Sequence, residues 1–567
     1  MPRHSLLKLL EQLDELKIPV GTHRAKTIAH LLVRLRKQTI TDADALMGLH
    51  ETLLFLRAYP QSPRVLRETE LVLREFPKWV KEAAIQEVDL NALDHPEISG
   101  IAGRTVIDTF SYYIVRDLVA RFPRQVEFYW DWFEDENRLG ETWPRFMPLL
   151  EEDAFVEANI PYRAWLRAAR GKMSEVPWLI ERFNQLPMKV SAKAELYDSQ
   201  KLYVQWAPPH PSTRTGMRLP SKLRSGQIFY HREPLLQRRD ISFLDEIRKP
   251  APPIEKLSKS DGQTVLNLAR DASTSRYREL YGFTHGDPAR VIKAELGRGV
   301  DLFVMGLPPE KRLPLRAYHA AMIFKNQVAV GYFEGLSLCE RMESGFNLYY
   351  TFREGETAWL YARTLNLMRW LLGVTTFSLD PYQVGYENEE GIESGAFWFY
   401  RKLGFRPTDP QLLRLAQREE VKIQKRRSYR TPAPTLRKLA QSPMVFELNP
   451  QRGGDWDQFQ VRRLGLAVQR EMAKNFNGDS EKMRTHALQV LLKTTKRHLT
   501  EAERKIFSDF AVIFLLIPGL ADWNRDEKRG LLKIIESKTG RDEGNYLQLL
   551  QKHTRFRRAL IDLGSRD

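Results

Sequence analysis

A short turn before a predicted long helix carries residue types that can bind phosphate. The segment Arg353–Ala358 (REGETA) combines a glycine, Gly355, with the cation of Arg353. The first main-chain N–H groups of a helix have no partner within it, and the helix dipole adds positive potential there. Glu354 and Glu356 occupy the same turn. Because carboxylates are also common in a first helical turn, the sequence leaves both phosphate binding and simple helix capping open.

A polar loop follows at residues 380–394. Irregular polar loops beside a cleft often hold substrate contacts, and negative charge here would suit a cationic amine such as a polyamine, a lysine or an aminosugar. A solvated surface loop is an equally open interpretation. Its acidic residues are Asp380, Glu387, Glu389, Glu390 and Glu393, and Tyr382, Gln383, Tyr386 and Asn388 accompany them.

The elements that must position these groups alternate between strands and helices over residues 262–415. A hairpin is expected to turn at Lys325–Gln327, and a helix over Glu356–Leu372 is expected to end at Gly373. The strands predicted from their β-branched and aromatic residues are Val300–Met305, Ala320–Phe324, Val328–Glu334, Phe346–Phe352 and Thr375–Leu379.

This order of elements resembles the acetyl-CoA-dependent N-acyltransferase (GNAT) superfamily. The sequence FYRKLGF, Phe399–Phe405, stands where the last helix of that family runs into its final strand. The turn around Arg353–Ala358 resembles a worn form of the family's pyrophosphate loop. The resemblance covers about 150 residues in the centre of the chain and implies a mixed sheet with flanking helices.

The resemblance also implies a reaction and its residues: acyl transfer from acetyl-CoA or another acyl-CoA to an amine, without a metal. Tyr400 would protonate the leaving thiolate, and Glu334 or His319 would accept the amine proton. The thioester carbonyl would lie against main-chain donors of the Phe346–Phe352 strand. The residues expected to bind the cofactor are Tyr350, Arg353, Glu354, Gly355, Glu356, Thr357 and Ala358.

Composition limits the class of protein. The 567 residues carry 88 Lys and Arg against 72 Asp and Glu, a formal net charge of +16, and are 42% hydrophobic, which favours folded domains over disorder. The single cysteine, Cys339, excludes an intramolecular disulfide or a multi-cysteine metal site. The N-terminus has no secretory h-region, and the apolar run Phe510–Leu520 is too short to span a bilayer. We therefore expect a cytoplasmic protein that does not insert into membranes.

The whole chain is predicted to be an α+β multidomain protein. We expect a helical N-terminal region at 1–185, then a small β-rich segment with a basic loop and a Pro-rich linker at 186–253. In that segment, Lys189–Tyr197, Lys201–Pro209 and Gly226–Leu236 are predicted to be strands. The GNAT-like domain at 262–415 is expected to be followed by a basic linker at 416–440 and a helical C-terminal domain at 441–567.

Two other function classes stay open. The carboxylates Glu354 and Glu356, where phosphates should lie, favour a GNAT-like scaffold that has lost catalysis and binds partner proteins. Seven basic and two acidic residues at 211–240, and nine and two at 411–440, favour a nucleic-acid-associated protein. There, Arg214, Arg218, Lys222 and Arg224 with Tyr230 and His231, or Lys425, Arg426, Arg427, Tyr429 and Arg430, would follow a phosphate backbone.

Overall fold

The computed structural model describes residues 3–18, 21–135, 137–140, 142–146, 161–426, 428–492 and 500–566. Among these residues, no helix combines the length and apolar character needed to cross a membrane. The helices, in chain order, are α1 (Arg3–Leu16), α2 (Thr22–Arg36), α3 (Ala43–Ala58), α4 (Pro63–Ile85), α5 (Tyr112–Arg121), α6 (Asn137–Gly140), α7 (Tyr162–Ala169), α8 (Glu175–Gln185), α9 (Val190–Ser199), α10 (Phe243–Arg248), α11 (Lys259–Thr274), α12 (Tyr281–Thr284), α13 (Thr357–Leu372), α14 (Glu389–Glu393), α15 (Ala396–Lys402), α16 (Pro410–Lys425), α17 (Ala433–Leu439), α18 (Val461–Phe476), α19 (Ser480–Leu492), α20 (Glu501–Leu515), α21 (Arg525–Lys538), α22 (Gly544–Lys552) and α23 (Thr554–Ser565).

The strands form one three-stranded sheet and one nine-stranded sheet. In chain order they are β1 (Val106–Asp108), β2 (Val126–Phe128), β3 (Val204–Trp206), β4 (Ile254–Lys256), β5 (Val291–Gly297), β6 (Val300–Met305), β7 (Ala317–Lys325), β8 (Val328–Leu338), β9 (Arg341–Leu348), β10 (Thr376–Leu379), β11 (Arg406–Pro407) and β12 (Met444–Glu447).

The chain divides into two compact units. The first comprises residues 1–234, 264–284 and 325–329, and the second comprises 235–263, 285–324 and 330–567. The sequence instead predicts five consecutive regions. The difference arises because short segments that are distant in sequence pack into each unit.

The first unit is built mainly from helices. Apolar side chains of α1–α4 form one core, and the N-caps Asp42 and Ser62 accept hydrogen bonds from the first turns of α3 and α4. A second core surrounds the small sheet, in which β3 pairs antiparallel with both β1 and β2. The buried Trp143 and Trp206 belong to this second core.

The second unit contains the large sheet, whose strand order is β11-β12-β10-β9-β8-β7-β6-β5-β4. Strands β9 and β10 are parallel and are connected by α13. Beyond β10, strand β12 lies between β10 and β11 and is antiparallel to both. The α+β class predicted from the sequence is therefore confirmed, with a large mixed sheet as its main feature.

Several predicted elements agree with the structure. Helix α13 ends at Gly373, which is left-handed with φ 71°. The β7–β8 hairpin turns at Asn326 and Gln327, whose positive φ values of 47° and 72° suit a tight hairpin turn. Strands β6, β7, β8 and β10 cover the residues predicted to be strands there except Thr375, so these predictions and the prediction of the long helix are confirmed.

Other predicted elements are wrong. The segment Lys189–Tyr197 lies mostly within α9, because its Ala, Lys, Glu and Leu residues favour a helix over a strand. Residues 226–236 contain no strand. Strand β9 stops at Leu348, and a 3₁₀ turn at Tyr350–Phe352 replaces the end of the predicted strand. Strand β12 lies in a region predicted to be helical, and a four-residue strand has too little periodicity to reveal itself.

Candidate functional site

A cavity of about 320 Å³ opens in the second unit at the C-terminal end of β9. The parallel register joins Arg341–Glu343 of β9 to Thr376–Ser378 of β10 and goes no further along β9. The remainder of β9 continues beyond this pairing, and Phe346, Asn347 and Leu348 line the cavity. In open α/β sheets, ligands bind at the carboxyl ends of parallel strands. The two strands thus leave an open cleft where their pairing ends.

The main chain of β9 offers hydrogen-bond donors to this cleft. The Tyr349 N–H donates to the Val330 carbonyl at 3.0 Å, so Tyr349 is a hydrogen-bonded partner of β8. In an antiparallel pair, alternate residues direct their main-chain groups to opposite sides of the strand. The Phe346 N–H is therefore directed away from β8, toward the side where pairing with β10 has ended.

Helix α13 presents its N-terminal end to the cavity, since Thr357 is a lining residue. Arg353 lines the cavity as well, where its Nη2 atom lies 2.6 Å from Oε1 of Glu390. Its Nε–H donates to the Leu348 carbonyl at 3.3 Å. The helix end and the arginine together form a positively charged wall of the cavity, and the Glu390 carboxylate pairs with the arginine.

The two carboxylates of the turn have different surroundings. Glu354 is exposed, whereas the Glu356 side chain is 1% exposed and pairs with Arg298, whose Nε atom is 2.9 Å from Oε1. Glu356 also accepts the Leu236 N–H at 3.2 Å. Neither glutamate is among the residues that line the cavity. The negative charge of Glu356 is thus neutralised inside the protein.

The other residues predicted to bind the cofactor in this turn contact the protein itself and do not line the cavity. Gly355 and Ala358 are buried, and the Gly355 N–H donates to the Phe352 carbonyl at 3.0 Å. Tyr350 is 61% exposed, and its ring centroid lies 5.8 Å from the guanidinium of Arg353. The structure therefore brings Arg353 and Thr357 to the cavity, and it places the remaining predicted residues of this turn around them.

Tyr400, on α15, lines the same cavity and is 5% exposed. Its ring packs against Tyr361 and Phe405 at centroid distances of 5.7 Å in each case. Burial raises the pKa of the Tyr400 phenol, so the group keeps its proton at neutral pH. The position of Tyr400 is thus compatible with both roles considered from the sequence, namely an aromatic packing residue and a proton donor at the cavity.

Glu334, on β8, lies beside the cavity but is not a lining residue. Burial raises the pKa of its carboxyl, and a hydrogen bond from the Tyr318 hydroxyl opposes that rise. Glu334 is the cross-strand neighbour of Gly345. A Cβ atom placed at Gly345 would lie 4.0 Å from Cβ of Glu334 and 3.8 Å from Nε2 of Gln383, which does line the cavity. The missing side chain at Gly345 therefore leaves room between the first carbon of the Glu334 side chain and Gln383 of the cavity wall.

His319, the second candidate base, is placed elsewhere. It is buried on β7 and lines a different cavity that includes Arg312 and Glu543. The two cavities share no lining residue. The structure thus separates His319 from Tyr400 and Arg353.

The polar loop 380–394 forms one side of the Tyr400 cavity through Gln383, Asn388, Glu390 and Ser394. Of its five acidic residues, only Glu390 is a lining residue. Asp380 accepts the Tyr382 N–H, and Glu389 pairs with Arg437. The loop therefore contributes amides, a hydroxyl and one carboxylate to the site.

The two basic segments differ in their exposure. In the first unit, the Arg214 side chain is fully buried and pairs with Glu51 at 2.7 Å, while Arg218 pairs with Glu70 at 2.8 Å. These two arginines serve the fold of that unit. In the second segment, Lys425 and Arg426 are exposed, and Arg427 lies outside the described residues.

Sequence reasoning missed several partners in the site. Tyr318 and Arg298 hold Glu334 and Glu356, and both are far from those residues in sequence. Asn347 is an amide within the largely aromatic and apolar segment Phe346–Phe352, which is a signal that could have identified it. Among the described residues, no group of three or more His, Cys, Asp or Glu side chains is placed to hold a metal ion.

Comparisons of this chain with models of protein families, with curated proteins and with solved structures found no match.

Proposed function

We propose that the Tyr400 cavity binds an acyl-CoA and that the second unit transfers its acyl group to an amine. The observation that carries the proposal is the end of β9–β10 pairing at a cavity lined by Arg353, Thr357 and Tyr400. Ligands that carry phosphate bind well where two parallel strands separate and a helix N-terminus follows. The GNAT resemblance of Phe399–Phe405 supports the same activity.

Each step of the transfer has a candidate group. The pyrophosphate would lie against Arg353 and the first turn of α13, and the thioester carbonyl would accept the Phe346 N–H. After the ammonium form has lost one proton to solvent, the neutral amine nitrogen attacks the carbonyl carbon, the C–N bond forms and the C–S bond breaks. The Tyr400 hydroxyl gives its proton to the departing sulfur, and Glu334 takes the amine proton through the space at Gly345. The products are an amide and free CoA.

The acceptor in this proposal is a cationic amine. Its charge would be met by Glu390, and Gln383, Asn388 and Ser394 would accept its hydrogen bonds. The pairing of Arg353 with Glu390 supports the rival proposal of an inactive scaffold, because it occupies the arginine that phosphate needs. The exposed cations Lys425, Arg426 and Arg430 support nucleic-acid binding only at that segment.

Calorimetric titration of the full chain with acetyl-CoA and with CoA tests the proposal. We expect a Kd of about 1–100 μM and at least a tenfold loss in Arg353→Glu. The matched control is Arg462→Glu, which reverses an exposed charge elsewhere in the second unit. A thiol-release assay with spermidine, lysine and glucosamine then tests transfer. Absence of binding at about 1 mM would overturn the enzyme proposal and favour the scaffold.

A further inference from the structure

A second cavity, of about 210 Å³, lies in the second unit at the C-terminal end of α13. Leu371 and Leu372, the last residues of α13, line it, whereas Thr357 at the other end of the helix lines the Tyr400 cavity. A helix of this length separates its ends by about 20 Å. The second cavity is therefore a separate site within the same unit.

Basic side chains outnumber acidic ones around this cavity. Lys256, Arg290, Arg312 and Arg541 line it, against Asp542 and Glu543. Glu543 is already paired with the buried Lys538, and Arg290 with Asp287 at 2.7 Å, which leaves Lys256, Arg312 and Arg541 against Asp542. Helix α22 begins at the lining residue Gly544, so its positive end borders the cavity. The surroundings thus carry a net positive charge.

Arg312 fixes part of this charge in place. Its side chain is 1% exposed, and its guanidinium donates to the carbonyls of Leu307, Lys538 and Arg541. A guanidinium has five N–H donors, so these three carbonyls use three of them. Its Nε atom also lies 4.0 Å from Oε2 of Glu543, so the arginine is a fixed positive charge in the cavity wall that an anion shares with this carboxylate.

His319 supplies a buried polar group to the same cavity. It is 8% exposed, and its Nδ1 atom has no hydrogen-bond partner among the described residues. Burial lowers the pKa of its imidazole; of the charged groups that face it, Lys538 and Arg312 act in the same direction, and Glu543 and Asp542 oppose them. A buried polar nitrogen without a partner costs free energy, and because Nδ1 is also inaccessible, a ligand recovers that cost only when the ring rotates toward the cavity.

The remaining walls are apolar. Val291, Ile292, Val304 and Leu307 line the cavity with the two leucines of α13. The volume of about 210 Å³ lies below the range of about 300–1,000 Å³ that is typical for drug-sized ligands, so the cavity suits a smaller molecule. A ligand that fits must combine one anionic group with a small apolar body.

We infer that this cavity is a binding site for a small organic anion, a carboxylate or a phosphate monoester, held by Arg312 and His319 against the apolar wall. Charge-assisted hydrogen bonds to Arg312 and Arg541 bind the anionic head, and His319 donates or accepts a further bond. The inference does not depend on the acyltransferase proposal, since none of its residues lines the Tyr400 cavity.

Calorimetry of the full chain with sodium benzoate, phenyl phosphate and neutral benzamide tests this site. We expect at least one of the two anions to bind with a Kd below about 1 mM and at least tenfold more tightly than benzamide. Stronger binding of benzoate identifies a carboxylate ligand, and stronger binding of phenyl phosphate identifies a phosphate monoester.

Variants locate the binding. Arg541→Gln, in an exposed lining residue, and His319→Gln should each weaken the anion about threefold to tenfold. Lys259→Gln, an exposed charge that does not line the cavity, and Arg353→Glu, in the other cavity, should leave its Kd unchanged. Failure of both anions to bind at about 10 mM, or equal affinity in native protein and Arg541→Gln, would overturn the inference.

Discussion

Arg298 and Glu356 form an ion pair under the first turn of helix α13. The Arg298 Nε atom lies 2.9 Å from Oε1 and 3.1 Å from Oε2 of Glu356, and the carboxylate is almost fully buried. Glu356 is one of the two carboxylates that the sequence places where phosphates should bind. The ion pair keeps this carboxylate inside the protein, away from the cavity. A negative charge in this turn is therefore compatible with an anion site, provided that Arg298 is present.

Replacing Arg298 by methionine should destabilise the second unit. The substitution keeps an apolar stem but leaves the Glu356 carboxylate buried without its cation, which costs about 3 kcal/mol in comparable pairs. Urea unfolding of the full chain, followed by tryptophan fluorescence, measures the loss in free energy of unfolding.

The double variant Arg298→Met with Glu356→Gln separates pairing from packing. Because no unpaired charge remains, we expect it to recover part of the lost stability. If the double variant is no more stable than Arg298→Met, the cost arises from lost packing around residue 298 instead.

Tyr400→Phe should slow acyl transfer without weakening acyl-CoA binding. The phenylalanine keeps the ring contacts with Tyr361 and Phe405 but has no proton for the leaving sulfur. Loss of a general acid lowers kcat by about 10²-fold or more. Thiol release under saturating acyl-CoA gives kcat, and calorimetry gives the Kd. An unchanged kcat would show that the leaving thiolate obtains its proton elsewhere.

Glu390→Gln should strengthen CoA binding, in the opposite direction to Arg353→Glu. Glu390 holds the Arg353 guanidinium at 2.6 Å, and a phosphate must displace it. Since an exposed ion pair is worth at most about 1 kcal/mol, we expect the Kd of CoA to fall about twofold to fivefold. The control is Glu389→Gln, because the neighbouring Glu389 pairs with Arg437 and does not line the cavity. A weaker affinity in Glu390→Gln would mean that Glu390 orients Arg353 for the ligand.

The sequence predicted the central part of the fold better than its edges. Strand β10, helix α13 and the β7–β8 hairpin follow from periodicity and from turn residues such as Asn326 and Gly373, because each signal is local. Strand β12 could not be predicted in the same way. It has four residues, and its place between β10 and β11 depends on pairing with strands distant in sequence.

The candidate site was predicted in part for the same reason. Arg353 and Tyr400 come together through the crossover from β9 to β10, which the order of elements anticipates. The separation of His319 from them depends on which face of the sheet its side chain occupies. Every residue of β7 is buried, so the strand shows no alternation of polar and apolar residues from which that face could be predicted. The ion pairs that neutralise Glu356 and Arg214 depend on long-range contacts alone.

Tyr318→Phe should move the acidic limb of the pH–rate profile to higher pH. A general base works only when deprotonated, so the rate of transfer rises as the pH passes the pKa of Glu334. Burial raises that pKa and the Tyr318 hydroxyl lowers it, so removal of the hydroxyl raises it further. The profile of kcat from pH 5 to 9 measures the change, with the partly exposed Tyr281→Phe of the first unit as control. An unmoved limb would exclude Glu334 as the base.

Glu340 should stabilise the second unit at neutral pH and lose this effect in acid. Burial alone would raise the pKa of its carboxyl, but hydrogen bonds from Arg557 and Trp456 outweigh burial and lower it. A carboxyl whose pKa is lower in the folded state stabilises that state above its unfolded pKa. The contribution disappears as the pH falls through the lower folded value.

Glu340→Gln should therefore cost about 3 kcal/mol at pH 7, because Arg557 loses its buried partner, and the difference from the native protein should shrink toward pH 3. Urea unfolding at pH 7, 5 and 3.5 measures this convergence. Glu389→Gln provides a matched contrast, since Arg437 also lowers the pKa of the Glu389 carboxyl but both side chains are exposed to solvent. Its unfolding should stay close to native at each pH, because solvent screens an exposed pair. A constant deficit for Glu340→Gln at all three pH values would show that packing, and not the charge of Glu340, holds the C-terminal helix α23 in place.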